Sequence, residues 1–235
     1  MNKKAACMLL LMPPVASLCA AENEWQRELE LGLVATDGNT DTRNITTKAD
    51  FSKEHTQWRH NIHAEVLYSS SEGQSTAEKY LISNTNNYKF NEFDSMFFAA
   101  NYEDDRFSGF DNQITLAAGY GRRLINDENT QTLDVEVGPG YRISKLEDGD
   151  SVDEAVLRLG GKYFLSLSEN SDFQQSLLAD IGEDTTITKS ISSLKAQING
   201  RLAMKMSLTL KHTSDVPDDV DNTDAETSIT LVYGF

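Results

Sequence analysis

From residue 25 to the end of the chain, apolar and polar positions alternate with a period of two over stretches of about ten residues. Leu29, Leu31, Leu33 and Ala35 alternate with Glu28, Glu30 and Gly32; Ile62, Ala64, Val66 and Tyr68 alternate with Asn61, His63 and Glu65. Met96, Phe98, Ala100 and Tyr102 form a third such face, and Leu133, Val135 and Val137 a fourth. Met206, Leu208 and Leu210 alternate with Lys205, Ser207, Thr209 and Lys211. A β-strand sends successive side chains to opposite faces, so each stretch reads as a strand with one apolar and one polar side. The pattern predicts twelve strands near 25–36, 42–52, 57–68, 78–90, 95–103, 112–124, 131–144, 154–167, 173–182, 191–199, 204–213 and 225–235. Heptads and sustained helical periodicity are absent. After residue 21 no apolar run approaches the roughly 20 residues of a spanning helix.

The connectors are expected to differ by side. Residues 37–41, 69–77, 104–111, 145–153, 183–190 and 214–224 read mostly as longer loops, whereas 53–56, 91–94, 125–130, 168–172 and 200–203 read as tight turns. An even number of alternating strands, with long loops at one end and short turns at the other, predicts an all-β fold. The expected architecture is a transmembrane antiparallel up-and-down β-barrel of the outer-membrane kind. A water-soluble sandwich would show the alternation but has no reason for the asymmetry.

Aromatic residues sort the same way. Trp25, Trp58, Phe90 and Phe173 fall beside the short turns, and Tyr68, Tyr80, Tyr102 and Tyr141 beside the longer loops. Such a pair of girdles is expected at the two membrane interfaces. The chain ends with Thr227, Ile229, Leu231, Tyr233 and Phe235 at every second position. This ending resembles the C-terminal signal by which barrel-assembly machinery recognises outer-membrane proteins, with Phe235 as its last residue.

The first 21 residues change the composition. Lys3 and Lys4 precede a mostly apolar run from Ala5 to Val15, and the segment closes on Ser17, Cys19, Ala20 and Ala21. It reads as a secretory signal peptide removed after Ala20 or Ala21, so residues 22–235 would form the barrel. A lipoprotein anchor at Cys19 is disfavoured by Leu18, where a small residue is usual. The full chain of 235 residues has a formal charge of −16 and a mean hydropathy of −0.46, which by themselves suggest a soluble acidic domain. Removing the leader takes both cysteines and two lysines, leaving 19 bases against 37 acids and a charge of −18. No thiol then remains for a disulfide, metal site or nucleophile. The acidity also excludes nucleic acid as a partner, because phosphate contacts need a basic face.

Strand parity distributes the charges. Lys48, Arg59, Lys79, Lys89, Arg123, Arg142, Arg158, Lys162, Lys195, Lys205 and Lys211 are expected inside the barrel, with Glu28, Glu30, Asp50, Glu65, Asp134, Glu136 and Asp180. The acid excess falls in the longer connectors: Asp104, Asp105, Asp111, Glu147, Asp148, Asp150, Asp153, Glu183, Asp184, Asp215, Asp218, Asp219, Asp221 and Asp224. With the mature N-terminus entering from the periplasm, these acids form an outward-facing rim. Such a rim attracts cations, binds divalent ions that bridge to lipopolysaccharide phosphates, or simply stays solvated. Asp219, Asp221 and Asp224 do not make a calcium loop, because the spacing fails and the turn lacks its glycine.

Several motifs carry a resemblance over essentially the whole mature chain. Leu31-Gly32-Leu33 leads into Asp37-Gly38-Asn39-Thr40-Asp41-Thr42; Gly119-Tyr120-Gly121, Val137-Gly138-Pro139-Gly140-Tyr141 and Leu231-Val232-Tyr233-Gly234-Phe235 follow. In these the chain resembles the YdiY-like family of salt-induced outer-membrane proteins, a domain-of-unknown-function family. The resemblance implies location and fold and supplies no catalytic residue. One further arrangement concerns chemistry. His212 and Ser214, with Glu226 on the last strand, are similar to the His-x-Ser plus Glu arrangement of lipid A deacylases, in which His serves as base for the Ser nucleophile. Parity, however, puts Glu226 inside the barrel and His212 on the lipid side. The expected function is therefore an outer-membrane barrel in the Gram-negative cell envelope, either structural or a narrow passive pore for ions and small polar solutes. A lipid hydrolase using His212 and Ser214 is the alternative. No catalytic, cofactor or metal residue is assigned.

Overall fold

The computed structural model describes residues 24–36, 42–72, 74–106, 110–127, 130–146, 150–216 and 221–235. The expected leader, the expected 37–41 loop and the acids Glu147, Asp148, Asp218 and Asp219 lie outside them. Twelve strands follow in order: β1 (Gln26–Thr36), β2 (Thr42–Glu54), β3 (Trp58–Ser71), β4 (Gln74–Lys89), β5 (Asp94–Asp105) and β6 (Phe110–Asp127). The second half comprises β7 (Gln131–Leu146), β8 (Ser151–Ser168), β9 (Ser171–Gly182), β10 (Thr186–Gln197), β11 (Leu202–Thr213) and β12 (Thr223–Gly234). Each pairs antiparallel with its sequence neighbours, and β1 pairs with β12 to close the barrel.

The alternation determines which face of the wall meets lipid. On β1, Leu31 and Leu33 point outward and Glu30 inward; on β11, Met204, Met206, Leu208 and Leu210 point outward, with Lys205, Ser207 and Thr209 inside. Leu33 is 76% exposed and Ile229 61%, whereas Glu30 is 1% exposed. In water this would be an inverted protein. In hydrocarbon the exposed leucines are the solvated surface, and only a closed sheet satisfies every backbone group there.

Strand length differs from the sequence-based expectation. The residues read as longer loops are largely strand: Ser69–Ser71 pair with Gln74–Ala77, Asp104 and Asp105 belong to β5, and Lys145 pairs with Ser151. The connectors at that end shrink to 72–73, 106–109, 147–150 and 183–185, comparable with 55–57, 90–93, 128–130 and 169–170 at the other end. The 37–41 connector keeps its expected bounds, and 214–222 stays long. Beyond the lipid band both faces of a strand are polar, so these hairpin extensions carry no hydrophobic contrast to reveal them.

One interior region is apolar. Phe97 on β5 is fully buried and clusters with Ala99 and Ala117 against the inner wall. The glycines of the two central motifs make this possible. A Cβ on Gly119 would come 2.2 Å from the Val137 carbonyl oxygen and 2.8 Å from the Phe97 ring, and one on Gly138 would come 2.2 Å from the Ala118 oxygen. The β6 and β7 backbones approach here as only glycine allows, beside Pro139, which has no N–H to give the ladder. Gly119→Val is expected to lower unfolding stability by about 3 kcal/mol or more through backbone overlap. Urea titration of the refolded barrel, followed by tryptophan fluorescence, checks this.

Candidate functional site: a charged lumen

The inward positions of the strands form a continuous charged surface. On β12 and β1–β5 it carries Glu226, Glu28, Glu30, Asp50, Glu54, Glu65 and Glu103 against Lys48, Arg59, Lys79 and Lys89. On β6–β11 it carries Arg123, Arg142, Arg158, Lys162, Lys189, Lys195, Lys205 and Lys211 against Asp134, Glu136, Glu154, Asp172 and Asp180. The two signs balance overall but are segregated into an acid-rich and a base-rich half. All the interior charges expected from the sequence are on this surface. Lys189, Glu54, Glu103, Glu154 and Asp172 are additions. Lys189 and Lys195 share a strand parity, so counting back in twos from Lys195 would have found it.

Most of these groups are paired, and several pairs cross the lumen. Within the wall, the Arg158 guanidinium donates to both oxygens of Asp180 at 2.8 and 2.7 Å, and Arg142 donates to Glu154 at 2.5 and 3.2 Å. Glu154 also accepts the Asp184 and Thr185 amides at 3.1 and 3.3 Å, and Arg142 donates to the Thr185 carbonyl. Arg142 and Arg158 are 1% and 2% exposed, and these charge-assisted bonds, bidentate to Asp180 at Arg158 and both to one Glu154 oxygen at Arg142, offset their desolvation. Across the interior, Lys79 on β4 reaches Glu226 on β12 at 3.2 Å, Lys195 on β10 reaches Glu28 on β1 at 2.5 Å, and Arg59 on β3 lies 3.6 Å from Asp134 on β7. Lys211 on β11 donates to Glu103 on β5, and these strands are diametrically opposite in the ring.

That last pair defines the shape. Twelve tilted strands in a circular barrel would stand roughly 24 Å apart across the diameter. An extended lysine and an extended glutamate together fall well short of that span, so the section is flattened along β5–β11. The Lys211–Glu103 bond crosses the lumen there, with Lys79, Glu65 and Glu226 beside it. Towards the end that carries the termini, Glu54, Arg59, Lys89, Arg123 and Asp134 form a second network: Arg59–Glu54 is 2.7 Å, Lys89–Glu54 2.5 Å and Arg123–Asp134 2.7 Å.

Outside, Trp58 stacks on His60 at 5.8 Å and meets Tyr88 edge-on at 5.1 Å, with Phe90 beyond it and Lys53 over Trp25. These rings form the girdle at the terminal end. Tyr68, Tyr80, Tyr102 and Tyr141, all exposed, stand towards the other end.

His212, Ser214 and Glu226 are not brought together as a catalytic group. Nδ1 of His212 is 2.9 Å from the Thr223 hydroxyl on the outer face, and the Ser214 hydroxyl accepts the Thr186 amide at 2.9 Å. Glu226 is inside the lumen, held by Lys79 and Lys48. The described acids of the rim sit at the end opposite the termini, several as strand residues, as with Asp111, which pairs with Lys145 at 3.3 Å. Among the described residues, no group of three His, Cys, Asp or Glu side chains is placed to hold a metal ion.

A closed antiparallel barrel with an apolar outside and a charged inside is an outer-membrane-type β-barrel, similar in architecture to porins. Residues 29–235 match the family described as "Protein of unknown function, DUF481", and the chain belongs to that family. It is 28% identical over 219 residues to "Uncharacterized protein YdiY" of Escherichia coli K12, spanning 92% of this chain and 85% of that one. A solved NanC porin aligns with a TM-score of 0.55 over 88% of this chain and 98% of its own, at 9% identity, a likeness of fold alone. The translocator domain of autotransporter NalP from Neisseria meningitidis aligns at a TM-score of 0.46, with 14% identity over 90% of this chain and 86% of that one.

Removing one member of a buried pair strands the other. Arg158→Met is expected to destabilise the barrel by about 3 kcal/mol, and Arg158→Met with Asp180→Leu to recover most of that loss. The comparison is made by urea unfolding of both variants in lipid vesicles.

Proposed function

We propose that this protein is a narrow passive pore of the Gram-negative outer membrane for ions and small polar solutes. The carrying observation is the solvated charge inside the wall: Lys162 points inward from β8, yet its side chain is exposed to solvent. A barrel serving only as a structural plug has no need of open space around an interior lysine. The narrowest point on this reading is the Lys211–Glu103 crossing. Its flattened section excludes large solutes, while fixed charges replace part of the hydration of a passing ion.

In this reading residues 1–21 are the export signal and the terminal end faces the periplasm, so the acidic rim faces outward. That rim would meet lipopolysaccharide through divalent cations, and Phe235 would present the C-terminus to the barrel-assembly machinery. The non-enzymatic reading is supported by the separate engagements of His212 and Ser214.

Single-channel recording in planar bilayers tests the pore. The wild-type barrel is expected to conduct in discrete steps, and Glu103→Gln combined with Lys211→Met to raise the step size about twofold or more by opening the crossing. Folded, heat-modifiable barrels that give no steps above background would overturn the pore and favour a structural role. Fractionation with carbonate-soluble periplasmic proteins would overturn the membrane assignment itself.

A further inference from the structure

Among the described residues four lumen charges, Lys162, Lys189, Glu136 and Asp172, lack a hydrogen bond or ion pair, and of these Lys162 is the exposed one. Among the described residues, Lys162 forms no hydrogen bond or salt bridge, although every neighbouring interior cation finds a carboxylate: Arg59 pairs with Glu54 and Asp134, and Lys205 with Glu30. The charged groups within electrostatic reach of Lys162 are Arg59, Asp50, Asp134 and Lys205. Asp50 is the accessible acid among them. Its side chain is 40% exposed, and its one described partner is the His63 ring at 2.7 Å.

Lys162 and Asp50 are not paired with each other; Asp50 is held by His63. They stand on β8 and β2, which are opposite one another in the ring. Lys211 and Glu103 bridge one pair of opposite walls near the far end; towards the terminal end Lys162 and Asp50 face the lumen from another opposite pair, within electrostatic reach and without an ion pair between them. A solute that carries both charges can pair with each.

We propose that the lumen contains a binding site for small zwitterions bearing one carboxylate and one ammonium, the carboxylate taken by Lys162 and the ammonium by Asp50. A simple anion gains Lys162 but meets Asp50 and Asp134, and a simple cation gains Asp50 but meets Lys162 and Arg59. Only the doubly charged solute is favoured at both ends. The inference deepens the pore reading, since the site lies on the path a solute would take.

The test is binding by the refolded, full-length mature barrel in detergent micelles, measured by saturation-transfer NMR with 4-aminobutyrate, butyrate and butylammonium as probes. These share one carbon-chain length and differ in their charges. 4-Aminobutyrate is expected to bind about fivefold more tightly than either singly charged probe, the contribution of one accessible ion pair. Lys162→Met is expected to abolish that preference, Asp50→Asn to do the same, and Lys162→Arg to retain it, with Lys145→Met at the rim leaving it unchanged. Heat-modifiable migration verifies that each variant is folded. Equal binding of the three probes, butyrate binding as tightly as 4-aminobutyrate, or a preference that survives Lys162→Met would overturn the site. Micelle binding does not require conduction. A barrel that binds the zwitterion and conducts nothing overturns the pore alone, and one that conducts without the preference overturns the site alone.

Discussion

Everything in this structure depends on closing the sheet between its first and last strands. An open edge inside hydrocarbon would leave a row of N–H and C=O groups without partners, each costing several kcal/mol. The seam is short: its register runs from Glu28 with Gly234 to Leu31 with Leu231. Side chains and the chain end reinforce it. Buried Glu30 on β1 accepts the Thr230 hydroxyl of β12 at 3.1 Å and the Lys205 ammonium of β11 at 2.7 Å, joining three strands at one carboxylate. The Phe235 amide donates to the Arg27 carbonyl at 3.1 Å, so the last residue is part of the closure.

Closure dictates the rest of the chemistry. Once the ring is shut and its outer face is given to lipid, the other half of each strand has only the lumen to occupy. Charges placed there must be solvated by water or by one another. Arg142 with Glu154 and Arg158 with Asp180 take the second course, at the wall. Lys211 with Glu103 takes it across the interior, and in doing so draws two opposite walls together. The same interactions that compensate buried charge therefore set the cross-section through which a solute would pass. Lys162 has no such partner among the described residues and is exposed.

The sequence made the barrel legible because contrast across the lipid band is strong. Leu31 against Glu30, or Met206 against Lys205, fixes which face is which, and a one-residue slip would reverse both. Strand ends were less legible. Ser69 to Ser71 and the residues they pair with on β4 are polar on both faces, so alternation stops being visible before the hairpin stops. The same loss of contrast placed Lys189 in a connector, whereas Glu103, the last residue of the 95–103 segment, is placed inward by its parity with outward Tyr102. The crossings were not legible at all, because Lys211 and Glu103 are 108 residues apart and their meeting depends on ring position. Nor did the His212-x-Ser214 spacing bring the two side chains onto a shared partner. Residues two apart share a face only while the strand continues, and β11 ends at Thr213.

The central claim, a ring whose alternate residues face lipid and a charged interior, is tested most directly along one strand. Residues 22–235 contain no cysteine, so single cysteines can be introduced into that segment at each position from Met204 to Leu210 and spin-labelled in lipid vesicles. Oxygen accessibility is expected to peak at 204, 206, 208 and 210, with a water-soluble nickel complex favouring 205, 207 and 209. A profile without a period of two, or one with the opposite phase, would contradict the account.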